Sequence, residues 1–376
     1  MALALAARAL SPENFAILGA YLALWAILDV AIDGGSMSAS LRAFAADPRV
    51  GASAIRRART LRSALLAPAF LAILFGALRE DRGLAPWIVL ASLSLGAHLL
   101  TPSTLPLHRE LRFRALASAR GIGAWLVALL VALLAAAGCR DAGPYLCAFG
   151  LGTTASALLA WWASPRPTTE DAALELPARP WLAEAAALGA AALARTAYFW
   201  IDALLVRWLA PESEAGGYHA AYRMFNLALL VATHASASAL PLFASRSGAS
   251  EKELSRVGKG LAMFGIALAL GVALFAPSLL ALAFGEAYAS AAPALRALAP
   301  AIAAIHVSGW LLTRLTAERR SRAIAAISFA ALALNLVLEL WWIPRYGAFG
   351  AACATSATEL AVLALALVAV RKRGTR

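Results

Sequence analysis

The chain has 376 residues, 62% of them apolar and only 14% charged, with a mean hydropathy of +0.73. Soluble globular chains run at roughly 45–50% apolar and about 25% charged. A water-soluble enzyme, a disordered chain and a coiled coil are therefore excluded, and a polytopic membrane protein is left. The net charge of +12 is what arginine-collecting cytoplasmic loops produce, so nucleic acid is not expected as a partner.

Residues 1–10 are apolar but interrupted by Arg8, too short a run for a signal-peptide core. Eleven later stretches are long enough to span a bilayer, near 15–34, 61–78, 84–103, 117–138, 143–163, 182–209, 218–243, 260–284, 292–312, 323–343 and 348–370. They are rich in Ala and Leu and lack the polar/apolar alternation of strands, so they predict an all-α fold. Pro68, Pro277 and Pro300 fall inside spans, where a proline kinks a helix. Such kinks serve either hinging or fixed packing.

Orientation follows from Arg and Lys. With 15–34 running inward, the segments 35–62, 104–120, 164–181, 244–259, 313–322 and 371–376 hold 24 of the 33 basic residues, against 5 on the other side. This is a positive-inside pattern. It puts the tail Arg371-Lys372-Arg373 in the cytoplasm. Trp87, Trp161, Trp162, Trp181, Trp208, Trp341 and Trp342 fall near span ends, as an interfacial aromatic belt does.

The chain also repeats itself. ALAARALSPE (4–13) matches ALLVRWLAPE (203–212) at six of ten positions, and LLAPAFLAILFG (65–76) matches LFAPSLLALAFG (274–285) at seven of twelve. RFRALAS (112–118) matches RSRAIAA (320–326) at four of seven, with a similar offset. Two pseudo-symmetric lobes are predicted, 1–163 and 181–376, joined by the cytoplasmic linker 164–180. The second lobe has six spans. The first has five plus the remnant of a first helix, most of which is missing relative to its counterpart.

Charges in a bilayer need a reason. Arg195 lies mid-span in 182–209, Asp202 two turns later on the same face, and Arg223 at a similar depth in the next span. An Asp202–Arg223 ion pair is expected, either structural or as the charged wall of a cavity that binds an anion or relays a proton. His219, Arg223, Asn226 and His234 recur close to one helical face, beside Thr233 and Ser238, so that face is expected to meet protein or water. Glu359 follows Thr355, Ser356 and Thr358 at the depth of Arg195, which it could neutralise; it could equally be a protonatable coupling carboxylate. Asn335 and Glu339 are one turn apart. Asp29 and Asp33, also one turn apart, sit at the cytoplasmic rim and are read as structural.

Cys139, Cys147 and Cys353 form neither metal spacing nor a disulfide framework, so no metal or cofactor is expected. There is no nucleophile motif and no phosphate loop. The adjacent acids Glu80-Asp81 and Glu170-Asp171 lie in short connections, and the outer connections, about ten residues or fewer, are too short to build an active site. An enzyme is not expected.

At 335–359 the chain reads NLVLELWWIPRYGAFGAACATSATE, which resembles the polysaccharide flippase family of the multidrug/oligosaccharidyl-lipid/polysaccharide exporter superfamily. In that family a span ending in Ile-Pro-x-Tyr-Gly leads into Gly-Ala-Ala-x-Ala-Thr-x-x-x-Glu. DALLVRWLAPESEAGGYHAAYRMFNLAL (202–229), Pro241 and the 11–35 stretch fit the same pattern. The resemblance implies the family's 12-helix fold, here with about 11 helices, around a central cavity. It implies translocation of polyprenyl-diphosphate-linked oligosaccharide units, for O-antigen, lipopolysaccharide or exopolysaccharide synthesis, across a bacterial inner membrane by alternating access. Arg195 and Arg223 would hold the diphosphate or acidic sugars, which guanidinium groups suit, with Asn226 and His234 beside them. Asp202, Glu339 and Glu359 would pair charge or couple to H+ or Na+. Polymerase and glycosyltransferase machinery would be partners of a monomeric exporter. The rival readings are a multidrug or toxic-compound cation antiporter of the same superfamily, and a non-transporting truncated paralogue.

Overall fold

A computed structural model of the chain describes residues 2–78, 83–166, 174–235, 251–318 and 320–371. Every regular element among them is helical: α1 (Ala2–Ala9), α2 (Pro12–Asp33), α3 (Ser36–Ala46), α4 (Gly51–Ala77), α5 (Ala85–Ser92), α6 (Leu105–Arg109), α7 (Phe113–Ala136), α8 (Ala142–Trp162), α9 (Ala178–Leu209), α10 (Glu212–Ala228), α11 (Glu251–Phe284), α12 (Ala292–Ala317) and α13 (Ser321–Arg371), with short 3-10 turns between some of them. Local chemistry sets the ends. Ser11 caps α2 by accepting the Asn14 N–H at 3.2 Å, Pro12 occupies its first turn, and Gly34 closes it with φ +53°.

Eight of these helices, or nine if one bent pair counts as a single span, are long and apolar enough to cross a membrane. Among the described residues that is fewer than the eleven predicted stretches, and two of the differences have a physical cause. The stretch at 84–103 is a broken span: α5 passes into 3-10 turns at Leu93–Leu99 and Thr101–Thr104 before α6, with a bend of 41°. Pro102 and Pro106 remove backbone donors there. The stretches 323–343 and 348–370 run together as α13, bent at Gly347, whose φ of +56° lies outside the helical range. The stretch 218–243 begins earlier, with α10, and its helix resumes at 230–235; Ser238 and Pro241 lie outside the described residues. So do Glu80-Asp81, Glu170-Asp171 and Lys372-Arg373. Large apolar side chains such as Leu71, Trp125, Met263, Leu274 and Leu282 point outward, as lipid-facing helices require.

Two compact units emerge. The first comprises Met1–Asn14 and Ala20–Trp200, the second Phe15–Gly19 and Ile201–Arg376. In the first, α8 packs against α7 and α5, α3 against α4, and α1 against α7. Its arginine-rich end has a core of its own, where Phe44, Val50, Ile55, Leu105, Leu176 and Trp181 meet. The segment 35–62, expected on the cytoplasmic side, is thus mostly helix. The Trp181 indole N–H donates to Ser40 Oγ at 3.2 Å, and the Arg109 guanidinium lies 4.8 Å from the Phe44 ring centre. In the second unit, α12 packs between α11 and α13.

The described end of the linker is pinned to α4. The Ser53 hydroxyl donates to Glu175 at 2.9 Å, Arg56 pairs with the same carboxylate, and the Leu176 N–H reaches Ser53 Oγ at 2.9 Å. The Leu174 N–H donates to the Arg49 carbonyl at 3.0 Å. The Ser53 hydrogen bond, then Arg56 and Arg57, hold the Glu175 carboxyl below its ordinary range. A lowered carboxyl pKa stabilises docking above the ordinary carboxylate range, and that support is lost as pH falls through the lowered value. Hydrogen exchange at the Leu174 and Leu176 amides should therefore speed up on acidification beyond the intrinsic trend. Glu175→Gln should show the faster exchange already at neutral pH.

The α2–α3 turn meets α9 backbone to backbone. Gly35 has φ +74°, and a Cβ on it would collide with the Ala185 carbonyl; a Cβ on Gly189 would lie 2.7 Å from the Gly34 oxygen. Gly35→Ala should cost at least about 1–2 kcal/mol from the left-handed backbone alone, with the clash added. Gly121→Ala, on α7 with open space around it, should be neutral or stabilising by up to about 1 kcal/mol. Thermal denaturation of the purified protein in detergent measures both.

Candidate functional site

The second unit buries a polar cluster built from three helices. Asp202, on the last turns of α9, is 1% exposed. Its carboxylate accepts the Tyr218 hydroxyl at 2.6 Å and the Ala203 N–H at 2.7 Å, and Tyr222 adds a further hydrogen bond. Tyr218 and Tyr222 are one turn apart on α10, so both hydroxyls point the same way. Their rings stack at 5.7 Å, with Phe225 next in the row at 5.4 Å from Tyr222. From α13, Asn335 and Glu339 are buried at 1% and 0% exposure. Glu339 is within electrostatic reach of Asp202 and Tyr218. Among the described residues no donor meets either Glu339 carboxylate oxygen in hydrogen-bonding geometry.

This corrects the simple ion pair expected for Asp202. Its direct partners are tyrosine hydroxyls and a backbone N–H, while Arg223, half-buried one residue beyond Tyr222, adds its positive charge nearby. Neutral donors satisfy a carboxylate without requiring a second desolvated ion. Sequence spacing could not show this, because Tyr218 is sixteen residues from Asp202 and reaches it only once α9 and α10 pack.

The face predicted from His219 to His234, which begins on α10 and ends in the helical run 230–235, runs from core to surface. His219 is 3% exposed and packs on Gly19, where a Cβ would approach its ring to 2.6 Å. Asn226 is half-buried. His234 is exposed, with Nδ1 2.7 Å from the Leu230 carbonyl oxygen. Arg195 is exposed and belongs to the first unit. Glu359 is 4% exposed in the second. The neighbouring hydroxyls of Thr355, Ser356 and Thr358 donate to the carbonyls of Ala351, Ala297 and Ala354.

At Gly347 the bend frees the N–H of Ala348, which donates to Glu214 Oε2 at 2.8 Å. A carboxylate at a new helix start also suits the helix dipole. A cavity of about 340 Å3 lies here, lined by Glu214, Gly217, Tyr218, Ser290, Tyr346 and Phe349. Tyr218 thus joins the wall of this cavity to Asp202.

The first unit holds a second charged network. Arg62, 1% exposed, pairs with Asp33 and donates to Ser36 Oγ and the His98 carbonyl, each at 2.9 Å. His98 Nε2 lies 2.6 Å from Asp29 Oδ1. The rim aspartates are therefore anchors for a buried arginine and a histidine. Arg62 was hidden in the sequence among the many arginines of its segment. Among the described residues no group of three or more His, Cys, Asp or Glu side chains is disposed to hold a metal ion.

Long apolar helices with outward apolar faces, folded around buried charge, define a multi-pass membrane protein. The chain belongs to the polysaccharide biosynthesis protein family, whose model matches residues 2–247. No curated protein matches it in sequence. Among solved structures it is similar to the lipid II flippase MurJ in an inward closed conformation (TM-score 0.80, 15% identity, 98% of this chain and 85% of that one). It is also similar to a multidrug resistance MATE family transporter of the MOP superfamily in an inward-facing conformation (TM-score 0.79, 14% identity, 99% and 93%). A third is a MOP superfamily transporter from Pyrococcus furiosus, described by the reversed polarity of its binding pocket (TM-score 0.66, 14% identity, 100% and 92%). The fold is thus that of transporters and flippases.

Buried and exposed ion pairs should separate cleanly in stability. Arg62→Ala strands Asp33 and should cost about 3–5 kcal/mol. Arg42→Ala removes the exposed pair with Glu184 and should cost less than about 1 kcal/mol. Thermal unfolding in detergent measures both.

Proposed function

We propose that this protein is a flippase for lipid-linked oligosaccharides. It carries polyprenyl-diphosphate-linked units from the cytoplasmic to the outer leaflet of a bacterial inner membrane by alternating access of two lobes, 1–163 and 181–376, joined by 164–180. The observation that carries this reading is the family match over residues 2–247, and the likeness to a lipid II flippase supports it. Arg195 and Arg223 bind the diphosphate, since guanidinium forks suit phosphate oxygens, and Asn226 and His234 contact the same substrate. The acidic cluster supplies coupling. Among the described residues, Glu339 is a carboxylate buried with no charged partner beside it other than Asp202, with Asn335 as its neighbouring amide, a setting that suits a bound proton or cation. H+ or Na+ would bind there, with Glu359 as a further charge-pairing acid. The protein acts as a monomer beside polymerase and glycosyltransferase machinery, with its C-terminus in the cytoplasm.

The likeness to a multidrug resistance transporter supports one rival, a cation antiporter, and the same assay separates the two. Proteoliposomes are loaded with fluorescent undecaprenyl diphosphate bearing one N-acetylhexosamine, and flipping is read by quenching. The protein should accelerate flipping, while ethidium uptake stays at background. Arg195→Ala and Arg223→Ala should each lower the rate at least about tenfold, equivalent to about 1.4 kcal/mol. Glu339→Gln should abolish its dependence on an ion gradient. Ethidium transport without lipid flipping would support the antiporter, and normal flipping by both arginine variants would overturn the cationic site.

A further inference from the structure

At the arginine-rich end of the first unit, ion pairs neutralise part of the charge among the described residues. Arg42 pairs with Glu184, Arg49 with Asp47, Arg56 and Arg57 with Glu175, Arg62 with Asp33 and Arg112 with Glu110. Arg59 and Arg166 are among the arginines outside these pairs, and they share one cavity. Arg59 donates to the neutral hydroxyl of Ser103. Among the described residues neither arginine has a carboxylate within salt-bridge distance.

These two arginines line the same cavity, of about 460 Å3, together with Ser103, Ser164, Trp161 and Trp162. Ser164 Oγ donates to the Ser103 carbonyl, which fixes the strand of chain carrying Arg166 to the 3-10 turn below it. Trp161 and Trp162 end α8, a helix long and apolar enough to span. Trp162 is 82% exposed. Exposed tryptophans at the end of a span mark the headgroup level of a bilayer. The cavity therefore sits at that level, with two uncompensated guanidinium groups and a flank of amphipathic rings. Basic pockets between transmembrane helices on the cytoplasmic side are suited to anionic lipid headgroups.

We propose that this cavity binds the phosphate of an anionic phospholipid headgroup. Arg59 and Arg166 take the phosphate oxygens, and Trp161 and Trp162 lie against the glycerol and the first acyl carbons. The exposed tryptophans favour a lipid over free phosphate, which would gain nothing from them. The site is independent of the transport reading, since it uses none of the residues assigned to substrate or coupling.

The test uses the full-length protein in detergent and its thermal unfolding as a function of added dioctanoyl phosphatidylglycerol. Dioctanoyl phosphatidylcholine, inorganic phosphate and farnesyl diphosphate are the comparison ligands. Phosphatidylglycerol should raise the Tm saturably, and phosphatidylcholine should not. Arg59→Gln with Arg166→Gln should weaken the apparent affinity about thirtyfold, near fivefold per arginine. Arg59→Lys with Arg166→Lys should keep most of it, which confirms that a folded protein is being read. A charge-matched control, Arg42→Gln with Arg112→Gln, should bind as the parent does. Three results would each overturn the proposal: equal loss in the control, unchanged binding by the Gln pair, or a Tm rise with inorganic phosphate at the same concentration. Farnesyl diphosphate binding at least tenfold tighter than phosphatidylglycerol would assign the cavity to a diphosphate lipid and overturn the phospholipid assignment.

Discussion

Within a bilayer there is no water to satisfy a peptide group or a charge, so the chain must do both for itself. The first requirement turns the apolar stretches among the described residues into helix. It also explains where the helices fail. Proline removes a donor at 102 and 106, and the chain answers with 3-10 turns whose closer hydrogen bonds keep the backbone paired. Glycine lets the chain leave the helix at 347, and a carboxylate from a neighbouring helix takes up the freed N–H.

The second requirement is met in two chemical styles. In the first unit, opposite charges meet, as Arg62 does with Asp33, and the remaining guanidinium N–H groups go to a hydroxyl and a carbonyl. In the second unit, Asp202 is held by neutral hydroxyls and a backbone amide. A carboxylate held by neutral donors keeps its electrostatic appetite for a cation, whereas one already paired to arginine does not. That contrast separates an anchoring site from one suited to exchange. It is also the physical reason for assigning coupling to the second unit.

Much of this architecture was legible from residue order, because run length and side-chain type alone decide whether a segment spans. The bend at Gly347 falls between the two spans expected at 323–343 and 348–370, and the matching Pro68 and Pro277 both fall inside helices. The break in 84–103 was harder to see, since its apolar content hides Pro102 until the backbone donors are counted. The burial of Asp202 was foreseen from its depth, but not its partners. Helix periodicity relates residues on one helix, while Tyr218 reaches Asp202 from the next. Arg62 was missed for a related reason: in a segment of six arginines, nothing in the order of residues tells which one turns inward.

Helix α10 carries Glu214 and Tyr218 one turn apart, on one face. Glu214 clasps the start of the 348–371 half of α13, and Tyr218 clasps Asp202. The helix therefore works as a rod with two attachment points about 6 Å apart along its axis. If the acidic cluster takes up a cation as proposed, filling or emptying it would push on one point, and the rod would deliver the displacement to the other. The half-helix that bears Thr355 and Glu359 would then turn about Gly347, where the backbone already lies outside helical geometry. Such a linkage would convert the binding of one small ion into the motion of a helix long enough to span the bilayer, with no new contact needed to transmit it.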